Sequence, residues 1–234
     1  VPYQGDFEFP SQKIFNNITK ATKIIFLGNP NNPTGNSIPQ DFIQKLRKNY
    51  PQILIVIDET YVQFNNNSFK EYVKDSDSNI VLIRSFSKDY GLASLRIGFA
   101  IGPVEIINIL KKVRSPYNVN ALAIRAANKA LDDSYFLEEV KEKIITNRKY
   151  LAKNFSKLGF IVYPSKANFI LVNFGEKTEY IYNRFKTDNI YFRKFSRNKQ
   201  LQECLRITVA KIQDCQLIVR NLKRYLAEYQ GIME

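Results

Sequence analysis

Short apolar runs, each followed at once by polar residues, recur along the first half of the chain. They lie at residues 23–27 (KIIFL), 53–57 (ILIVI), 80–83 (IVLI) and 97–101 (IGFAI). Each has strand length and is apolar on both faces, the pattern of a parallel sheet covered on both sides. Between the first two runs, Pro39 stands just after Ser37 at a first helical position. Phe42, Ile43 and Leu46 then repeat at helical spacing, which predicts a crossover helix. The fold class expected is therefore α/β, with a mostly parallel sheet between helices. The polar residues cluster at the carboxyl ends of the strands, where open α/β sheets bind ligands.

The pattern changes in the second half. Helical spacing predicts helices over residues 103–112, 121–131 and 134–158. The last carries Phe136, Val140, Ile144, Leu151, Phe155 and Leu158 on one face, with Gly159 as a natural C-cap. Strands are expected at 160–163, 169–173, 190–192 and 204–209, and helices at 178–187 and 212–229. This reads as a smaller α+β domain, which sets the expected division at 1–133 for the large domain and 134–234 for the small one.

Composition narrows the chemistry. The 234 residues contain no histidine, so Ser-His-Asp and Cys-His catalysis and the usual zinc sites are excluded. Cys204 and Cys215 form neither a paired framework nor a metal spacing, and no metal is expected. A formal net charge of +13 invites a nucleic-acid partner. The basic residues are scattered rather than bunched, and the aromatics fall at core spacing, so a solvated basic surface suited to anionic substrates is the reading preferred. No apolar run is long enough to span a bilayer. The sequence begins at Val1 and its only methionine is Met233, which reads as a chain without its natural N-terminus.

Three segments carry candidate chemistry: NPNNPTG at 29–35, IDETY at 57–61 and SFSKDYGLASLR at 85–96. Any one of them could be a turn or a loop. Together with PYN at 116–118 and LRIT at 205–208, in this order and at strand ends, they resemble the fold-type I pyridoxal-phosphate (PLP) aminotransferases. The resemblance is strongest to the histidinol-phosphate aminotransferase branch.

The resemblance implies an aspartate aminotransferase-like fold and roles for individual residues. Lys88, in its Ser-x-Ser-Lys context, matches the lysine that holds PLP as an imine and later shuttles a proton. Asp58 matches the carboxylate that keeps the pyridine nitrogen protonated, and that match favours it over the alternative, Glu59 beside it. Tyr61 and Asn32 match the partners of the cofactor's phenolic oxygen. Ser85, Ser87 and Arg96 match the phosphate donors, a planar guanidinium being well shaped for that anion. Arg206, a charge between apolar neighbours, matches the receiver of the substrate's anionic group. Arg193 matches a further arginine for the substrate phosphate, with Lys194 and Arg197 near enough to substitute.

The activity implied is amino transfer between histidinol phosphate and 2-oxoglutarate in histidine biosynthesis, by a cytoplasmic homodimer acting on a small-molecule amine and a 2-oxo acid. A threonine-phosphate decarboxylase or an aromatic aminotransferase would use nearly the same residues. The alternative of another class is a basic nucleic-acid-binding protein or an inactive chain that keeps the fold. Two positions depart from the family: Ser94 and Ala210 stand where glycine is usual. The family also carries, upstream of Val1, a phosphate-binding helix N-terminus, a ring-stacking aromatic and an arm toward the partner. The resemblance thus implies a chain lacking the family's N-terminal part, with cofactor affinity weakened accordingly.

Overall fold

The computed structural model describes residues 1–3, 5–65, 67–75 and 77–233. The chain forms two compact units, residues 1–32 with 36–141, and residues 33–35 with 142–234.

In the first unit the order is α1 (Ser11–Asn16), β1 (Ile24–Gly28), α2 (Gln40–Asn49), β2 (Leu54–Asp58), β3 (Ile80–Ser85), β4 (Gly98–Ile101), α3 (Val104–Val113) and α4 (Ala121–Asp132). The sheet runs β1-β2-β3-β4. Its first three strands are parallel, as the unbroken apolar runs predict. β4 is antiparallel to β3. The reason is the connection, which between these strands contains only a 3₁₀ turn at Ala93–Leu95 and no helix to carry the chain back.

Strand parity sorts the side chains. Leu27, Ile55, Ile57, Ile80 and Leu82 share one face and pack with Phe42, Ile43 and Leu46 of α2. Each such side chain contributes about 1.5–3 kcal/mol by leaving water. α2 starts one residue later than the pattern predicts, with Pro39 as its N-cap. Ile24, Phe26, Val56, Asp58 and Ile83 take the opposite face, where Phe26 is 72% exposed. The link from β2 to β3, where no element is predicted, carries 3₁₀ turns at Val62–Phe64 and Lys70–Lys74.

α5 (Ser134–Lys157) crosses the division between the units. The second unit continues with β5 (Ile161–Tyr163), β6 (Phe169–Asn173), α6 (Thr178–Thr187), β7 (Arg193–Lys194), β8 (Cys204–Thr208) and α7 (Ile212–Met233). Its sheet, β5-β6-β8-β7, is antiparallel throughout. Ile170 and Val172 of β6 and Leu205 and Ile207 of β8 face a core shared with Phe155, Phe185 and Leu222. Gly159 ends α5 at φ +87°, the left-handed C-cap that the sequence predicts.

One expected strand moves. Residues 190–192 do not pair. Asn189 takes φ +59° and the Ile190 amide donates to Phe185 O at 2.9 Å, closing the end of α6. Ile190 and Phe192 pack against the core, and strand pairing begins only at Arg193. Among the described residues, no helix is long and apolar enough to cross a membrane.

Candidate active site

Each polar cluster singled out in the first unit follows a strand whose end is held by backbone hydrogen bonds. The Asn29 amide donates to Asp58 O at 2.8 Å, and the Glu59 amide donates to Ile83 O at 2.8 Å. These bonds extend the β1, β2 and β3 ladder by one rung, so the loops start from a rigid edge. Gly28 lets the first loop fold back, since a Cβ there would lie 3.2 Å from Asn31 Cα. Asn29 is fully buried. Its side chain donates to Asn67 O at 2.6 Å and accepts from the Ile38 amide at 3.1 Å, pinning the loop to both neighbours.

Asn32, Asp58 and Tyr61 come together on the sheet face opposite the core. With Phe26, Gly28 and Thr60 they line a concavity of about 510 Å³. That volume lies within the range of small-molecule sites. Asp58 is exposed into this space, its Oδ1 accepting from the Thr60 amide at 2.9 Å. Tyr61 is buried beneath it. The Lys88 ammonium stands 5.9 Å above the Tyr61 ring centre, at the outer limit of cation–π attraction. An amine, a carboxylate, a phenol and an amide thus lie on one side of the sheet within one unit.

Lys88 is presented by an anchored loop. Phe86 is buried with Ile97, Ala123 and Ala127. Its amide donates to Ile97 O at 3.1 Å and its carbonyl accepts from the Leu92 amide at 2.9 Å. Ser85 Oγ accepts from the Ser87 amide at 3.1 Å, so the two serines share one turn. Gly98 permits the close approach of β4, because a Cβ would meet Arg84 O at 2.6 Å. Asp89, next to Lys88, is buried, and this desolvation pushes its carboxyl up to about 6.

Arg96 follows the Ala93–Leu95 turn with φ +51° and donates to Ala93 O at 3.0 Å. It is exposed and does not line the concavity. Ser94 is not among the residues with positive φ, and neither is Ala210. The two substitutions for glycine therefore impose no left-handed backbone strain.

In the second unit, β7 pairs with β8 so that Arg193 lies directly opposite Arg206. Arg206 points away from the core that Leu205 and Ile207 face, and its guanidinium lies 5.0 Å over the Phe169 ring. Arg193 is exposed. Lys194 is paired with Glu179. It is less free to replace Arg193 than its position in the sequence suggests.

The family resemblance favours Asp58 over its neighbour Glu59 as the site carboxylate. Strand parity separates them: Glu59 continues the core face and its side chain is fully buried. Its Oε2 accepts from Arg84 Nε at 3.0 Å and Nη2 at 2.7 Å, and its Oε1 accepts from the Phe69 amide at 2.7 Å. Arg84 and the loop anchor Asn29 were not singled out from the sequence. A signal for Arg84 exists in the alternation Ile80, Leu82, Arg84, which places a charge on the buried face.

The donor set fits PLP: an amine for an aldehyde, an exposed carboxylate, and hydroxyl and amide donors around a concavity of suitable size. Comparison with known proteins agrees. Residues 1–219 match the family model described as aminotransferase class I and II. A histidinol-phosphate aminotransferase of Flavobacterium psychrophilum is 38% identical over 225 residues, covering 95% of this chain and 64% of the relative. The crystal structure of the histidinol-phosphate aminotransferase of Clostridium acetobutylicum superposes with a TM-score of 0.87 at 26% identity, covering 94% of this chain and 68% of that one. That of Sinorhizobium meliloti, in complex with pyridoxal-5'-phosphate, gives 0.82 at 27% identity, covering 98% and 64%. The chain thus spans a little under two-thirds of the length of the Flavobacterium relative.

Proposed function

We infer the function from the family to which this chain belongs, the class I and II aminotransferases. The protein is a PLP-dependent enzyme that moves an amino group from a phosphorylated amine, histidinol phosphate, to 2-oxoglutarate. The observation that carries this reading is the Lys88 amine over Tyr61, beside the concavity that Asp58 and Asn32 line. When bound, PLP supplies an aldehyde that takes an amine and a ring that accepts the α-carbon's electrons.

The chain's own residues do the rest. Lys88 Nζ would hold the cofactor and, once freed, would serve as the base that takes the proton from the substrate α-carbon. Asp58, open to the concavity, would hold a proton on the pyridine nitrogen. Tyr61 and Asn32 donate to the phenolic oxygen. Ser85, Ser87 and Arg96 hold the phosphate, for which the Arg96 side chain has to leave Ala93 O. Arg206 and Arg193 receive the anionic end of the substrate. A homodimer in the cytoplasm, with domains 1–133 and 134–234, completes the proposal.

Borohydride reduction of the purified protein with PLP, followed by peptide mapping, tests the cofactor site. Covalent pyridoxyl on Lys88 is the result expected. No modified lysine, or modification elsewhere, would sink the assignment. Product analysis with histidinol phosphate and with threonine phosphate then identifies the reaction, since release of carbon dioxide from the second would make the enzyme a decarboxylase.

A further inference from the structure

Glu59 and Arg84 each adjoin a proposed cofactor residue. Glu59 follows Asp58 at the end of β2, and Arg84 precedes Ser85 at the end of β3. They lie on the core face, while Asp58 and Ser85 lie on the other. The ion pair is 2.7 Å long, with side-chain exposures of 0% for Glu59 and 17% for Arg84. It is embedded in a closed set of bonds. Ser68 Oγ donates to Glu59 Oε2 at 3.1 Å and accepts from Arg84 Nη2 at 2.8 Å. The Phe69 amide takes the remaining carboxylate oxygen.

The β2–β3 register ends with Asp58 opposite Ile83. One further rung, from the Glu59 amide to Ile83 O, closes the ladder. Beyond that rung β2 ends and the chain enters its loop, while β3 runs on to Ser85 beside β4, and the Glu59–Arg84 pair bonds the β2 end to β3 there. A bond made there fixes the spacing of the two strand ends. Through one peptide unit each, it also fixes where Asp58 and Ser85 stand.

We propose that Glu59 and Arg84 are positioning residues, a buried clamp that sets the distance between the pyridine-side carboxylate Asp58 and the phosphate-side Ser85. This inference rests on the reading of Lys88, Asp58 and Ser85 as the PLP site. Two strand ends that drift apart would present the two ends of one rigid ring with mismatched partners. Affinity would fall although no group that touches the cofactor has changed. A buried pair stripped of one partner leaves an uncompensated charge that the strands must move to hydrate.

The test is equilibrium titration of the purified protein with PLP, read by visible absorbance, for Glu59→Gln, Arg84→Lys and Leu46→Ala. Leu46 lies in the same core on α2, away from the strand ends, and serves as a stability control. Unfolding temperatures are measured on the cofactor-free forms. Glu59→Gln and Arg84→Lys should each weaken binding by about tenfold or more, the scale on which supporting partners of a bound group act. The pH midpoint of the visible band should shift in both. Leu46→Ala should lose comparable stability with unchanged affinity and midpoint. Equal loss of affinity in Leu46→Ala would overturn the clamp and leave only general destabilisation. Wild-type affinity in both clamp variants would overturn it as well. Should Glu59→Gln fail to fold, Arg84→Lys decides by the same comparison. If the wild-type protein takes up no PLP on Lys88, the cofactor reading falls and the clamp falls with it. That outcome is separate from the others because it appears before any variant is made.

Discussion

Arg193 and Arg206 face each other directly across β7 and β8, two like charges at neighbouring positions of an antiparallel pair. Such pairs repel, and a fold selected for stability alone would avoid them. An anion placed against both converts the repulsion into attraction. The Phe169 ring beneath Arg206 holds one of the two guanidinium groups in place.

Arg206→Gln and Arg193→Gln should therefore raise KM for a phosphorylated amine by roughly 10- to 100-fold, as expected for losing a charge-assisted bond. Arg193→Gln should at the same time leave the unfolding temperature unchanged or slightly higher, because it removes a like-charge contact worth about 0.2–1 kcal/mol. Steady-state kinetics and thermal unfolding on the same preparations check both halves. A fall in stability with unchanged KM would assign Arg193 a structural role.

Lys88→Ala should abolish the covalent adduct and lower turnover by roughly 10²- to 10⁴-fold or more, the range in which a positioned proton-transfer group acts. Mass spectrometry after borohydride treatment reports the adduct, and single-turnover assays report the rate. Residual turnover at the wild-type level would remove Lys88 from the mechanism.

Asp58→Asn and Glu59→Gln should separate by readout. Asp58 is exposed into the concavity and its side chain bonds the Thr60 amide next to it. Its neutralisation should cost at least about tenfold in kcat while the unfolding temperature stays near wild type. Glu59 is a buried ion-pair partner, and its neutralisation should lower the unfolding temperature clearly. Reversal of that order would exchange the roles of the two carboxylates.

Asp89 makes stability depend on pH. Burial raises its carboxyl from 3.8 to about 6 in the folded protein. Between those values the folded state holds a proton that the unfolded state has released. Stability therefore falls as pH rises across that window, with the full loss reached above about pH 6. At 1.36 kcal/mol per pKa unit, the loss is on the order of 3 kcal/mol. Asp89→Asn should remove this dependence and exceed wild-type stability at pH 8, while matching it near pH 4. A wild-type-minus-variant difference that is the same at both pH values would contradict the assignment.

Much of this protein is legible from pattern. The runs at 23–27, 53–57, 80–83 and 97–101 locate the four strands of the first sheet to within a residue or two. The spacing Phe42, Ile43, Leu46 locates α2. The candidate cofactor residues were legible because several short motifs occur in order, each at a strand end. Arg84 and Asn29 were not, because their importance lies in what they touch across 25 and 38 residues of sequence, Glu59 and Asn67 respectively.

The sequence by itself determined where most of the strands and helices lie, since apolar periodicity of two or of 3.6 residues acts over a few neighbours. It also determined the order of the chemically competent loops. It could not say which of Asp58 and Glu59 points outward. Alternation puts them on opposite faces, but a run such as ILIVI is apolar on both faces and does not reveal which one meets the core. Only the packing of β2 between β1 and β3 over α2 decided that, by burying Ile55, Ile57 and hence Glu59. The same holds for Arg193. Its pairing with Arg206 depends on Asn189 and Ile190 closing α6, which delays the strand by three residues and sets two arginines face to face.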